Sequence, residues 1–214
     1  EDGRQFLNPM IEFKKEDLRK DTYSPLLKDQ KAVPFTISLE KALSYSVSRS
    51  DNNVCDKLFQ LIGGTNRIER YFRNLGYQSF RIGTDYRHMK KNGINANRIS
   101  PIDMISILEK LHKGQLLSRE NTALLWKKMI ESETGPDRIR GKLPRNIQVG
   151  HKTGSSGTDK NGVTAAFNDV GIVKMPNGKS FAIVVFISDS RESAKTNAET
   201  IAKITEISYQ YLNH

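Results

Sequence analysis

Gln148-Val149-Gly150-His151-Lys152-Thr153-Gly154-Ser155-Ser156-Gly157 is where the chain changes period, and the fold is read outward from it. Gln148 to His151 has the look of a strand. Val163 to Val173 is a second strand candidate, Pro176-Asn177-Gly178 is a turn, and Phe181-Ala182-Ile183-Val184-Val185-Phe186-Ile187 is a third, buried strand. The short turn makes the last two an antiparallel hairpin. Beyond them Ala194, Ala198, Ile201, Ile204, Ser208 and Tyr211 are spaced to lay one helix face on a sheet.

Before Pro144 the spacing is helical. Ser38 can cap a helix with Leu39, Ala42, Leu43 and Val47 on its apolar face. A second helix runs from Asn53 through Leu58 to Ile62 and stops at Gly63-Gly64. Thr65 can cap a third, with Ile68, Phe72 and Leu75 along one side. Ser100-Pro101-Ile102-Asp103 reads as a capping box opening a helix that buries Met104, Ile105, Leu108 and Leu111, and Ser118 opens another. Between Gly76 and Ser100 the helical pattern stops, leaving a long loop that contains Thr84-Asp85-Tyr86-Arg87-His88-Met89. The expected class is α+β, in one domain: a mainly helical lobe over 1–144, then over 145–214 an antiparallel sheet covered by a C-terminal helix.

The 214 residues carry 34 basic and 24 acidic side chains, a net charge of +10. The bases are spread along the chain and mixed with acids, with no zinc-finger, helix-turn-helix or RNA-recognition pattern, so a solvated basic surface is expected and a nucleic-acid partner is not. No run of 18 apolar residues suits a membrane helix. Glu1-Asp2-Gly3-Arg4 does not read as a signal peptide. The single cysteine, Cys55, excludes an intrachain disulfide and reads as a small, partly buried helical residue. His88, His112, His151 and His214 lack ligand spacing, so no metal is expected. No other cofactor is expected either.

Two triplets carry the chemistry, Ser50-Asp51-Asn52 at the end of the Ser38 helix and Lys152-Thr153-Gly154 at the end of a strand. Both arise in this order by chance in roughly one chain in a thousand. With Asp21-Thr22-Tyr23-Ser24-Pro25-Leu26, the run on to Cys55-Asp56, Thr134-Gly135-Pro136-Asp137-Arg138 and Gly141-Lys142-Leu143-Pro144, they make the chain similar to class A serine β-lactamases, in the branch of the PER-type and CfxA-type enzymes. The resemblance runs from Phe6 to the C-terminus.

It implies the penicillin-recognising fold and an acyl-enzyme hydrolysis of β-lactams. Ser50 beside Lys152 would deliver the proton that the departing ring nitrogen needs. Asn52 would meet the substrate's side-chain amide. Thr153 with Ser155 or Ser156 would hold its carboxylate, and the Ser155 N–H would be an oxyanion donor. Gly154 would let a ligand lie along the strand edge. Tyr23 would stand at the cleft mouth and Arg138 near the carboxylate site. Each residue also has a plainer reading: Ser50-Asp51-Asn52 as a helix end and turn, Lys152 as a surface charge, Tyr23 packed on a turn, and Arg138 in a helix-terminal salt bridge.

Two departures from the family stand out. The family's nucleophile lies in Ser-x-x-Lys, well upstream of Ser-Asp-Asn. The one match in the chain, Ser38-Leu39-Glu40-Lys41, would put nucleophile and Ser50 on one helix roughly 18 Å apart, so Ser38 is expected to be a cap. The chain is therefore expected to be the later part of a longer protein. It would be inactive alone, completed by an N-terminal segment with the nucleophile and two strands, or else a remnant that associates with another copy. The second departure is Asp85, which stands where the family's loop carries the glutamate that activates the deacylating water; it is either a short base or a turn residue. By resemblance the parent is periplasmic or lipoprotein-anchored. A penicillin-binding D,D-peptidase, a non-catalytic binding domain of the same fold and a basic nucleic-acid module are the alternatives.

Overall fold

The computed structural model describes residues 8–30, 32–89 and 96–213. The chain divides into two compact units, Glu1–Asp103 and Met104–His214. The expected α+β class is what is observed.

The first unit begins with a strand pair the sequence reading missed. β1 (Met10–Phe13) runs antiparallel to β2 (Phe35–Ser38), with Met10 opposite Ser38 and Phe13 opposite Phe35. The two phenyl rings stack at 5.3 Å. Strands of four residues are too short for an alternation to stand out in sequence. Between them lies α1 (Leu26–Asp29). Ser38 ends β2 in an extended conformation and caps α2 (Leu39–Leu43), its hydroxyl accepting the Lys41 N–H at 3.2 Å. The helix then widens into a π-turn over Ser44–Ser48. α3 (Asn52–Leu61) and α4 (Thr65–Asn74) follow. Gly64, not Thr65, is the N-cap residue of α4. The core joins both strands to the helices: Ile11, Phe13, Leu26, Ile37, Ala42, Tyr45 and Val54.

A two-residue strand pair, β3 (Arg81–Ile82) with β4 (Asn97–Arg98), closes the loop region. α5 (Pro101–His112) starts as expected, with the Ser100 hydroxyl accepting the Asp103 N–H at 3.1 Å. The box is completed through a third residue: the Asp103 carboxylate takes the Ser79 hydroxyl, and Ser79 Oγ accepts the Ser100 N–H at 2.9 Å. Leu108 and Leu111 are buried on α5, whereas Ile105 is exposed.

The second unit holds α6 (Arg119–Ile130), capped by Ser118, and one antiparallel sheet in the order β5-β6-β7. β5 is Gln148–Ser155, β6 Thr164–Lys174 and β7 Ser180–Ser190. β5 and β7 are longer than expected, because polar residues at their ends hide strand from a hydrophobic pattern, while β6 lies one residue past the expected Val163 to Val173 at the same length. Val149, Phe167, Val173, Ile183 and Val185 pack on Ala198 and Ile201 of α7 (Ala194–Leu212). The buried stripe of α7 is Asn197, Ala198, Ile201, Ala202 and Thr205. Ile204 and Tyr211, expected to face the sheet, are 41% and 80% exposed. The helical repeat carries the buried stripe through 198, 201 and 205, one position past Ile204.

Candidate active site

In the first unit the Ser-Asp-Asn triplet is a sharp turn between the π-turn and α3. Ser50 sits at φ 53°, a left-handed value uncommon for a residue with a Cβ. Such strain persists only where the surroundings hold it, and Asp51 does so. Its side chain is fully buried. Oδ1 accepts the Val54 N–H at 3.0 Å and caps α3. Oδ2 accepts the Ser24 hydroxyl at 2.8 Å and the Leu26 N–H at 2.7 Å. The middle residue of the triplet is thus structural, and its neighbours are presented by it. Asn52 is half-buried, its amide donating to Thr22 Oγ1 at 2.8 Å and its N–H to the Tyr23 carbonyl at 3.1 Å. Ser50, Asn52 and the Tyr23 segment are therefore brought together, with the Tyr23 ring 54% exposed.

The wide turn before Ser50 has its own anchor. The Tyr45 hydroxyl and Arg49 both donate to Asp29, at 2.8 and 2.5 Å. Arg49 first and Tyr45 second hold the Asp29 carboxyl below its usual range. Burial, with Asp29 added, pushes the Tyr45 phenol up to about 12.

Asp85 lies in the same unit, on a loop that sequence reading left unanchored. Asp56 of α3, 4% exposed, accepts the Tyr86 and Arg87 N–H groups, each at 2.8 Å. Burial raises the Asp56 carboxyl above its usual value, more than those N–H groups lower it. Arg19 clamps the other side, donating to the Tyr86 and Arg87 carbonyls at 3.1 and 2.8 Å. Asp85 Oδ1 accepts both the N–H and the ring nitrogen Nδ1 of His88, at 2.9 and 2.7 Å. Nothing in sequence pattern marks Asp56, Arg19 or His88 for these parts, since all three act across irregular backbone.

The second unit carries the other group. The register Thr153↔Asp169 and the bond from Ser156 N–H to the Ala166 carbonyl at 2.9 Å set the alternation along β5. By that alternation the Thr153 and Ser155 N–H groups point away from β6, to the edge of β5 that no described strand covers. Lys152 is half-buried and its ammonium donates to the Thr153 carbonyl at 2.8 Å. Thr153 shares a 2.7 Å hydroxyl contact with Thr134. The turn there needs Gly135: its φ is +60°, and a Cβ would come within 2.6 Å of Thr153 Cγ2. Gly154 faces open space, with only Asn168 Cβ within 4 Å of where a side chain would start. Ser155 is exposed, and Ser156 is tied into β6 by accepting the Ala166 N–H at 3.1 Å.

Among the described residues Arg138 has no salt-bridge partner. Its Nη1 donates to the Asn168 and Gly154 carbonyls at 2.7 and 3.2 Å, and its guanidinium lies 3.7 Å from the Phe167 ring centre. Burial lowers its pKa against the pull of Asp169 and Asp137. The C-terminal end of β5 therefore carries Lys152, Thr153, Gly154 and Ser155, with Arg138 bonded to the Gly154 carbonyl. Behind it His151, fully buried, bonds Asp169 through Nδ1 at 2.9 Å. Among the described residues no group of three His, Cys, Asp or Glu is placed to hold a metal.

The family model described as "Beta-lactamase enzyme family" matches residues 1–212. The chain belongs to the class A β-lactamase family. The extended-spectrum β-lactamase PER-1 of Pseudomonas aeruginosa is 36% identical over 98% of this chain and 68% of its own length. VEB-1 from the same organism is 37% identical over 98% and 71%. A class A β-lactamase of Bacteroides cellulosilyticus superposes with a TM-score of 0.93 at 36% identity, covering 97% of this chain and 76% of that one. The chain resembles, as expected, a serine hydrolase of the penicillin-recognising fold.

Proposed function

We propose that these residues serve the acyl-enzyme hydrolysis of β-lactams. What supports the reading is membership of the class A β-lactamase family across the chain with both signature triplets intact. Ser50 and Lys152 pass the proton to the departing ring nitrogen. Asn52 meets the side-chain amide of the substrate, beside Tyr23. Thr153, Ser155 and Ser156 take its carboxylate with Arg138 near by, the Ser155 N–H faces the oxyanion, and Gly154 leaves room for the ligand. Asp85 belongs to the deacylation step. The attacking serine comes from a Ser-x-x-Lys helix outside these 214 residues, because the one such match within them spends its hydroxyl on the Lys41 N–H. The setting of this chemistry is the periplasm or a lipoprotein anchor; among the described residues no helix is long and apolar enough to cross a membrane. No metal or other cofactor takes part in the proposed steps.

The test compares the chain alone with the chain joined to a Ser-x-x-Lys helix. Alone, it should leave a chromogenic cephalosporin intact and gain no penicilloyl mass; joined, it should acylate. An adduct on Ser38 or Ser50 of the 214-residue chain would overturn the assignment. Asp85, shorter than the family's glutamate, favours a second reading: an enzyme of the D,D-peptidase type that acylates and turns over slowly. An acyl-enzyme stable for hours would mark it.

A further inference from the structure

Asp85 is one methylene shorter than a glutamate, roughly 1.5 Å of reach. Its Oδ1 is also filled by two donors of one residue, the His88 N–H at 2.9 Å and the His88 ring at 2.7 Å. An ionised carboxylate only accepts, so the ring nitrogen facing it, Nδ1, carries the proton. In the neutral imidazole of that tautomer the other ring nitrogen, Nε2, carries the lone pair. The imidazole is 58% exposed while the Asp85 side chain is only 20% exposed, so the ring stands outward of the carboxylate that holds it.

We propose that His88 and Asp85 form a dyad in which the His88 imidazole is the base for the deacylating water and Asp85 is its positioning residue. The proposal rests on the function given above. His88 Nε2 takes a proton from water as the water oxygen bonds to the acyl carbonyl carbon. The ester bond to the serine oxygen then breaks, and the same proton passes from Nε2 to that oxygen. Asp85 fixes the tautomer and faces the imidazolium that forms, without itself taking the proton. The ring supplies the reach that the lost methylene removed. The loop is held still for this by Asp56, which grips the Tyr86 and Arg87 N–H groups, and by Arg19 on their carbonyls. Among the described residues Arg19 and Asp56 feel the charge of Asp85, Arg19 is paired with Asp21, and the Arg87 guanidinium donates to the Glu16 carbonyl at 3.1 Å. Lys90 and Lys91 lie outside the described residues.

Two measurements test this. Nitrogen-15 NMR of the 214-residue chain should show His88 in the Nδ1–H tautomer, reverting in Asp85→Ala to the mixture of a free imidazole. In the chain joined to a Ser-x-x-Lys helix, decay of the penicilloyl adduct is followed by mass spectrometry against pH. Decay should quicken with rising pH along a limb that depends on His88. His88→Gln should slow it about a hundredfold or more and erase that limb, with the acylation burst unchanged and added imidazole restoring part of the rate. Decay in His88→Gln with the wild-type rate, or slowed with its pH limb intact, would overturn the base assignment. A free-imidazole tautomer in the wild-type chain would overturn the dyad whatever the kinetics. Failure to acylate at all would instead sink the proposed function, and the base role with it.

Discussion

Replacing Asp51 by alanine tests the claim that the middle residue of Ser-Asp-Asn is a structural bolt. Three donors converge on a side chain that is fully buried. Losing the cap on the Val54 N–H costs about 1 kcal/mol. The Leu26 N–H, on a residue fully out of solvent, is left without its acceptor, at about 1–3 kcal/mol. The Ser24 hydroxyl can rotate toward another acceptor, so its share is about 0.5–1.5 kcal/mol. Roughly 3–5 kcal/mol in all is a large part of the 5–15 kcal/mol that holds a typical domain together. Urea unfolding of the 214-residue chain, followed by circular dichroism, should show the midpoint fall by that measure at unchanged slope. Asp51→Asn should recover only part of it, because its amide group would point a donor at the Ser24 hydroxyl or the Leu26 N–H. A loss below about 1 kcal/mol for Asp51→Ala would refute the reasoning, since the cap alone should cost that much.

Gly150→Ala would set a Cβ 2.3 Å from Trp126 Cζ3, so the emission of the chain's single tryptophan should shift and stability fall by about 1–3 kcal/mol; an unchanged spectrum would contradict the contact. Asp56→Asn should raise hydrogen exchange at the Tyr86 and Arg87 amides about tenfold or more, as one charge-assisted bond is worth about 1.5–3 kcal/mol. The raised Asp56 carboxyl binds its proton more tightly in the folded than in the unfolded chain, so its contribution to stability is lost as pH rises from about 4 through the raised value. The difference in stability between wild type and Asp56→Asn should therefore change across that window, and a constant difference would speak against a raised carboxyl. In the chain joined to a Ser-x-x-Lys helix, Arg138→Ala should raise KM for β-lactams several-fold with a smaller change in kcat; unaltered KM would remove Arg138 from carboxylate binding.

The sheet of the second unit was legible because its strands are apolar and a Pro-Asn-Gly turn separates two of them. Gly178, at φ +80°, makes that turn, and its N–H reaches the Met175 carbonyl at 3.1 Å. The capped helices were legible for a similar reason: Ser38 and Ser118 each accept an N–H three residues on, a bond that needs only local sequence. β1 and β2 were not, because their pairing joins Met10 to Ser38 across a separation that no periodicity records. Ile204 was misplaced for a different reason. On a helix whose outer side is also apolar, spacing admits two stripes, and only the packing of Ala198 and Ile201 on the sheet tells which is buried.

The site divides along the same line. Ser50, Asn52, Lys152 and Thr153, the residues proposed for the site, stood out in sequence because they belong to contiguous triplets. What holds them could not, since Asp51 reaches back to Ser24 and Leu26, Gly135 makes room for Thr153, and Arg138 lies on Phe167. Asp85 shows the limit most clearly. Its identity could be counted off from Asn97, but a carboxylate is a base only if its lone pairs face water. Here the sequence offers two nearby partners of opposite effect, Arg87 and His88. The turn at 86–88 settles the choice by giving the Arg87 N–H to Asp56 and leaving the His88 N–H and ring to Asp85. Which groups Asp85 meets is thus set by which backbone amide α3 captures, and a change at Asp56 should alter the bonds of Asp85 without touching it.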